Sequence, residues 1–183
     1  METLSILIFI TTLLFTSDVK AQQWPIFPVD STTGEVRYEG VVQVPSVSAT
    51  DLYSRAKSYF LKNFRSINAV VQIDEPGKRI AGKGIVKLFT KKQEAIQIGL
   101  GMDYWITYTI DTKDSRYRYE LSQFIATTES AGVRTIEIPL EKLLSMQSKK
   151  RERYLIDNSH IDQNIKYLIS ALQKHMTTPE KDF

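Results

Sequence analysis

A turn is written into the stretch from Ala69 to Phe89, and it constrains the fold more than any other part of the chain. The run reads AVVQIDEPGKRIAGKGIVKLF. Proline at the second turn position presets φ and glycine at the third accepts a positive φ, so Glu75-Pro76-Gly77-Lys78 has type II turn chemistry between two apolar segments. The spacing predicts a hairpin in which Glu75 faces Lys78, Ile73 faces Ile80, Val71 faces Gly82 and Ala69 faces Gly84. One side then carries an apolar-plus-glycine set, and the other carries Val70, Gln72, Ala81, Lys83, Ile85 and Lys87. Gly82 and Gly84 lack side chains between bulky neighbours, so a helix rich in Tyr and Phe can lie close over the sheet there.

That helix is predicted from Ser48 to Phe64. Ser48-Ala49-Thr50-Asp51 fits a capping box, and Leu52, Ala56, Phe60 and Phe64 recur every four residues behind it. Before it, a turn at Thr33-Gly34 opens a strand from Glu35 to Val44, with Val36, Tyr38, Val42 and Val44 on one face and Arg37, Glu39, Val41 and Gln43 on the other. A second hairpin is expected from Tyr104 to Asp111 and from Arg116 to Ala126. With Lys113-Asp114 at its tip, Ile110 faces Tyr117, Tyr108 faces Tyr119 and Ile106 faces Leu121. The reverse face of that hairpin then holds Trp105, Thr107, Thr109, Arg118, Glu120, Ser122 and Phe124. Residues Thr90 to Asp103 read as a loop with a short irregular strand, and Thr127 to Val133 as a small polar loop. Pro139 to Gln147 reads as a short helix on Leu140, Leu143 and Leu144. A capping box at Ser159 to Asp162 opens a last helix on Ile161, Ile165, Leu168, Leu172 and Met176.

The order strand, helix, two hairpins, helices predicts an α+β fold: a curved antiparallel sheet of about five strands with helices packed on one face, and additional C-terminal helices. The domain organisation expected is residues 1–21 as a signal peptide, 22–34 as an extended arm, 35–138 as the α+β domain, 139–176 as C-terminal helices and 177–183 as a polar tail. Leu4 to Phe15 is an apolar run short for a bilayer span, followed by a polar step and Val19-Lys20-Ala21, a small-residue cleavage pattern. Its n-region is atypical, with Glu2 and no Lys or Arg. The expectation is export, to the periplasm or beyond a Gram-negative-type envelope, with no membrane span after cleavage.

The motifs FPVDSTTGEVRYEGVVQV, DLYSRAKSYFLKNF, AGKG and DSRYRYEL together resemble an uncharacterised family of exported bacterial domains named for a fold like the TATA-binding protein. The likeness runs from about Phe27 to Thr127. It rests on Asp30, Gly34, Tyr38, Leu52, Tyr53, Ala56, Phe60, Gly82, Gly84, Tyr117 and Tyr119. The family has no established activity or catalytic residues, so the resemblance implies a fold and an exported address alone.

Chemistry is sparse. Net charge is +3, and without residues 1–21 the chain keeps 23 basic and 19 acidic residues, a mild excess that does not argue for nucleic acid. There is no cysteine, which excludes disulfides and thiolate chemistry. Residues Gly77 to Gly84 nearly match a phosphate loop, but Gly84 stands where Ser or Thr must hold magnesium and a strand period follows. His160 and His175 are 15 apart, against three or four for helical ligands of one metal. Neither a cofactor nor a metal is expected. Ser148 to Arg153, SKKRER, reads as a solvated charge run. Glu39 and Glu120 can approach across the sheet, each expected to pair with a neighbouring Arg or Lys.

The candidate site is the open sheet face, with Arg37, Lys83, Lys87, Trp105, Arg118 and Phe124 as its binding residues and Val41 and Ile85 among them. The function expected is an exported, non-enzymatic binding domain for an envelope or extracellular protein or glycan, with no nucleic acid. Two alternatives stand beside it: an envelope enzyme using Glu39 and Glu120, and a structural subunit that pairs through strand edges.

Overall fold

A computed structural model describes residues 27–64, 71–88, 102–130, 133–145 and 158–178. The elements are β1 (Tyr38–Gln43), α1 (Ala49–Asn63), β2 (Val71–Glu75), β3 (Arg79–Leu88), β4 (Met102–Lys113), β5 (Arg116–Ser130), β6 (Val133–Pro139), α2 (Leu140–Ser145) and α3 (Asn158–Thr177). The strands form one antiparallel sheet ordered β1-β5-β4-β3-β2, and β6 pairs with the far half of β5. The fold is therefore the curved α+β sheet with helices expected from the sequence.

Helix α1 starts where its cap demands. The Ser48 hydroxyl accepts the Asp51 amide at 3.1 Å and donates to the Asp51 carboxylate at 2.8 Å. Leu52, Ala56, Tyr59, Phe60 and Phe64 are buried against Ile80, Ile106, Tyr108 and Ile110 of the sheet. A Cβ on Gly84 would overlap the Phe64 ring, so the glycine in β3 is what lets α1 end this close to the sheet. Helix α3 lies on the same side. Its Ile161, Ile165, Leu172 and Met176 are buried, Arg55 of α1 donates to the Met176 carbonyl at 2.8 Å, and the Tyr38 hydroxyl donates to Asp162 at 2.7 Å.

Five local readings are corrected by the structure. In the first hairpin the turn is as expected, with the Lys78 amide on the Glu75 carbonyl at 3.0 Å and Gly77 at φ +71°. The ladder, however, resumes at Glu75 opposite Arg79, because the Lys78 carbonyl is taken by the Thr112 amide of β4 at 2.7 Å. A slip of one residue exchanges the faces. Asp74, not Ile73, comes to lie opposite Ile80, and Ile73 is left 42% exposed. A shift in register between Val71 and Ile73 then restores the expected pairing of Val71 with Gly82. The displaced Asp74 carboxylate accepts the Tyr53 hydroxyl and Lys57, at 2.9 Å for the latter, and so ties α1 to the edge strand.

In the second hairpin the tip is Asp114-Ser115, not Lys113-Asp114, and Ile110 faces Tyr119 while Tyr108 faces Leu121. The turn is gripped from outside. Ser115 exchanges backbone hydrogen bonds with Val47 and Val44, each at 2.8 Å, and the Asp114 carboxylate accepts the Ala49 amide at the start of α1. Because the register differs by two residues, the apolar side chains keep the face expected of them.

The third correction concerns Phe124. Gln123 adopts φ +53° and β5 carries one extra residue opposite Ile106, between the pairs Thr107–Ser122 and Trp105–Ile125. Beyond the bulge the faces of β5 exchange, so Phe124 is fully buried and packs edge-on against Tyr38 at 5.8 Å. Finally, β5 continues to Ser130 and pairs with β6, where a polar loop and a fifth, last strand were expected. The final helix begins at Asn158, ahead of Ser159, and Asp162 serves Tyr38 and Lys166 instead of a cap. The leader, residues 89–101 and the SKKRER run lie outside the described residues.

Candidate functional site

Both long helices stack on one face of the sheet, and among the described residues no helix lies on the other. The strand registers set that open face out in rows. Near the end that carries the two hairpin turns run Val41, Arg118, Asp111, Arg79 and Glu75. The next row begins with Glu39 and Glu120, which are direct cross-strand partners. Farther along the strands lie Thr107 and Lys83, then Ile125, Trp105 and Ile85.

Part of the charged half of the face is joined by ion pairs. Arg118 reaches Glu39 at 2.7 Å and Glu120 at 3.5 Å, which holds the two facing carboxylates on one guanidinium. Arg37 lies 3.1 Å from Asp30 and 3.8 Å from Glu120, the latter too long for a hydrogen bond. Arg79 pairs with Asp111. The amides of Thr33 and Thr32, with Arg37 adding its charge, hold the Asp30 carboxyl below its ordinary value. Exposed pairs of this kind add little to stability, so the network organises the face more than it stabilises the fold.

The other half is apolar. Ile85 is 47% exposed, while Trp105 and Ile125 are half-buried beside it. The Lys83 ammonium sits 5.5 Å from the Trp105 ring centre, a cation–π contact of about 0.5–1 kcal/mol at such an exposed site. Thus Lys83 and Trp105 are brought together, Arg37 and Arg118 join through Glu120, and Lys87 occupies the ladder position opposite Asp103. Phe124 belongs to the core and leaves the site, and Ile125 takes its place. The signal for that exchange was present in the sequence. Tyr117, Tyr119 and Leu121 alternate in one parity, whereas Phe124 and Ala126 continue in the other.

Residues 38–126 match the model of a domain of unknown function (DUF4468) with a TBP-like fold. This chain carries that domain. A TBP-like protein from Parabacteroides distasonis superposes with a TM-score of 0.63 at 14% identity, covering 84% of this chain and 99% of its own. A DUF4468 family protein from Bacteroides ovatus gives a TM-score of 0.51 at 13% identity, covering 85% of this chain and 94% of its own. At such identities the likeness shows the fold alone. A comparison with curated proteins finds no match. Among the described residues no helix is long and apolar enough to cross a membrane.

Proposed function

We propose that the chain is an exported, non-enzymatic binding domain whose open sheet face engages an envelope or extracellular partner, a protein or a glycan. The observation that carries the reading is the one-sided placement of α1 and α3. It leaves the Ile85–Trp105–Ile125 row facing outward with a cation over its indole. An exposed apolar patch rimmed by polar residues is the usual mark of an interaction surface. The two carboxylates that an enzymatic reading would use are both engaged by Arg118, an arrangement that favours an ion-pair network over a general acid and base.

The test is a crosslinked pull-down from envelope extract that compares the chain lacking residues 1–21 with a Trp105→Ala, Lys83→Glu variant. Arg118 is left in place because its removal strands two facing carboxylates. A partner captured by the parent and lost by a variant of unchanged circular dichroism supports the reading, and identical capture by both sinks it. Export is checked separately, by fractionation and sequencing of the mature amino terminus. Recovery in the cytosol with residues 1–21 intact would remove that half of the proposal.

A further inference from the structure

The two hairpin turns meet at one end of the sheet and border a groove of about 640 Å3, within the range of small-molecule sites. Five of its lining residues are cationic and two are acidic. Arg79 is matched by Asp111 and Arg118 by Glu39. Lys78, Lys113 and Arg116 have no ion-pair partner among the described residues.

The arrangement of these three cations carries a cost. Lys113 and Arg116 are direct cross-strand partners, and like charges placed opposite one another destabilise a ladder. Asp114 beside them is spent on the Ala49 amide at 2.8 Å, and Glu75, which lines the groove with Asp111, offsets one of the three charges at most. Lys78 is carried to the same end because its carbonyl is held by Thr112. Cations gathered in one groove without ion-pair partners favour an anionic ligand there.

We infer that this groove binds the phosphate group of a phosphorylated saccharide. A phosphate monoester brings nearly two negative charges and three acceptor oxygens, which matches the excess of two positive charges left by Lys78, Lys113, Arg116 and Glu75, where a single carboxylate would neutralise one. Arg116 supplies the planar fork that suits phosphate oxygens. The groove is far larger than a bare phosphate needs, and Val41, 60% exposed on its wall, offers an apolar surface to a sugar ring. The inference rests on the binding reading above but uses the opposite end of the sheet from Trp105.

The experiment is a backbone-amide NMR titration with glucose 6-phosphate, set beside inorganic phosphate and glucuronic acid, on the parent, on Lys113→Gln/Arg116→Gln and on Trp105→Ala. Saturable shifts at Lys78, Lys113 and Arg116 are expected. They should be retained in Trp105→Ala and weakened about tenfold or more in the double variant. Because the double variant removes a repulsion, it should melt no lower than the parent, which separates lost binding from lost folding. An absence of saturable shifts, or equal affinity in the double variant, overturns the site. Inorganic phosphate binding as tightly as the sugar phosphate overturns the saccharide, and glucuronic acid doing so overturns the phosphate. Co-flotation with vesicles carrying a phosphorylated glucosamine lipid tells a lipid-borne source from a soluble one. Failure of the titration with Trp105-dependent capture intact would remove this site and leave the sheet-face reading standing.

Discussion

The ring of Phe64, the last residue of α1's apolar stripe, lies in the space that a side chain on Gly84 would fill. The contact belongs to an aromatic cluster in which Phe64 also meets Tyr108 at 5.4 Å and Phe60 at 5.5 Å. Gly84→Ala is therefore expected to destabilise the fold by about 1–3 kcal/mol, the usual cost of overpacking. Chemical denaturation measures it, and Phe64→Leu in the same chain should recover part of the loss. A Gly84→Ala protein as stable as the parent would show that α1 can lift from the sheet.

Gln123 supplies a prediction of the opposite kind. Its left-handed backbone is unfavourable for a residue with a Cβ, and its side chain accepts a hydrogen bond from the Thr107 hydroxyl at 2.9 Å on the exposed face. Gln123→Gly should be neutral or stabilising by up to about 1 kcal/mol. Deleting Gln123 instead forces Phe124 outward, and the loss should reach about 3 kcal/mol or more, the scale of removing a buried Phe. Comparable melting of the two variants would argue against the bulge.

Asp74 makes the stability of the edge strand depend on pH. The Tyr53 hydroxyl, then Lys57, lower its carboxyl below the ordinary 3.8. A carboxyl depressed in the folded state contributes stability that is present above the unfolded value and is lost as pH falls through the folded one. The stability difference between the parent and Asp74→Asn should thus hold near neutrality and shrink as pH drops below 3.8. Denaturation series at several pH values read it directly, and a difference that stays constant across that window would exclude the linkage.

The buried tyrosines act at the other end of the scale. Burial raises the Tyr59 hydroxyl to about 12, and raises Tyr104, Tyr108 and Tyr117 further. Burial together with Asp162 does the same for Tyr38. A raised folded value contributes stability in full below the unfolded value of 10, and that stability is lost as pH climbs through the folded values. Phenolate absorbance should therefore show these tyrosines ionising only together with unfolding. Full ionisation of all nine near pH 10 in a folded protein would contradict their burial.

Arg118 holds Glu39 and Glu120 apart in charge though not in space. Arg118→Ala should cost about 1 kcal/mol at low salt and less at high salt, since it leaves like charges directly opposite one another. Adding Glu39→Gln should return most of it, a coupling that a double-mutant cycle measures.

What the sequence left open follows from who grips each turn. The β3 faces, the capping of α1 by Ser48 and the buried stripes of α1 and α3 were legible, because each depends on neighbours within a few residues. The hairpin registers were not. Lys78 and Ser115 hydrogen-bond to Thr112, Val47 and Val44, partners outside their own hairpins, and no local turn rule includes them. Phe124 was misplaced for a related reason, since an inserted bulge residue reverses every face beyond it.

By itself, then, the sequence determined the class of fold, the apolar face of each long element and the glycine over which α1 closes. All of these are consequences of periodicity and of side-chain size. Only the tertiary structure decided which residues share the open face: Arg118 between two glutamates, and Lys78, Lys113 and Arg116 gathered without ion-pair partners at the hairpin-turn end. Pairing across strands is set by long-range hydrogen bonds and by the burial they permit, and these exist only once the sheet has closed.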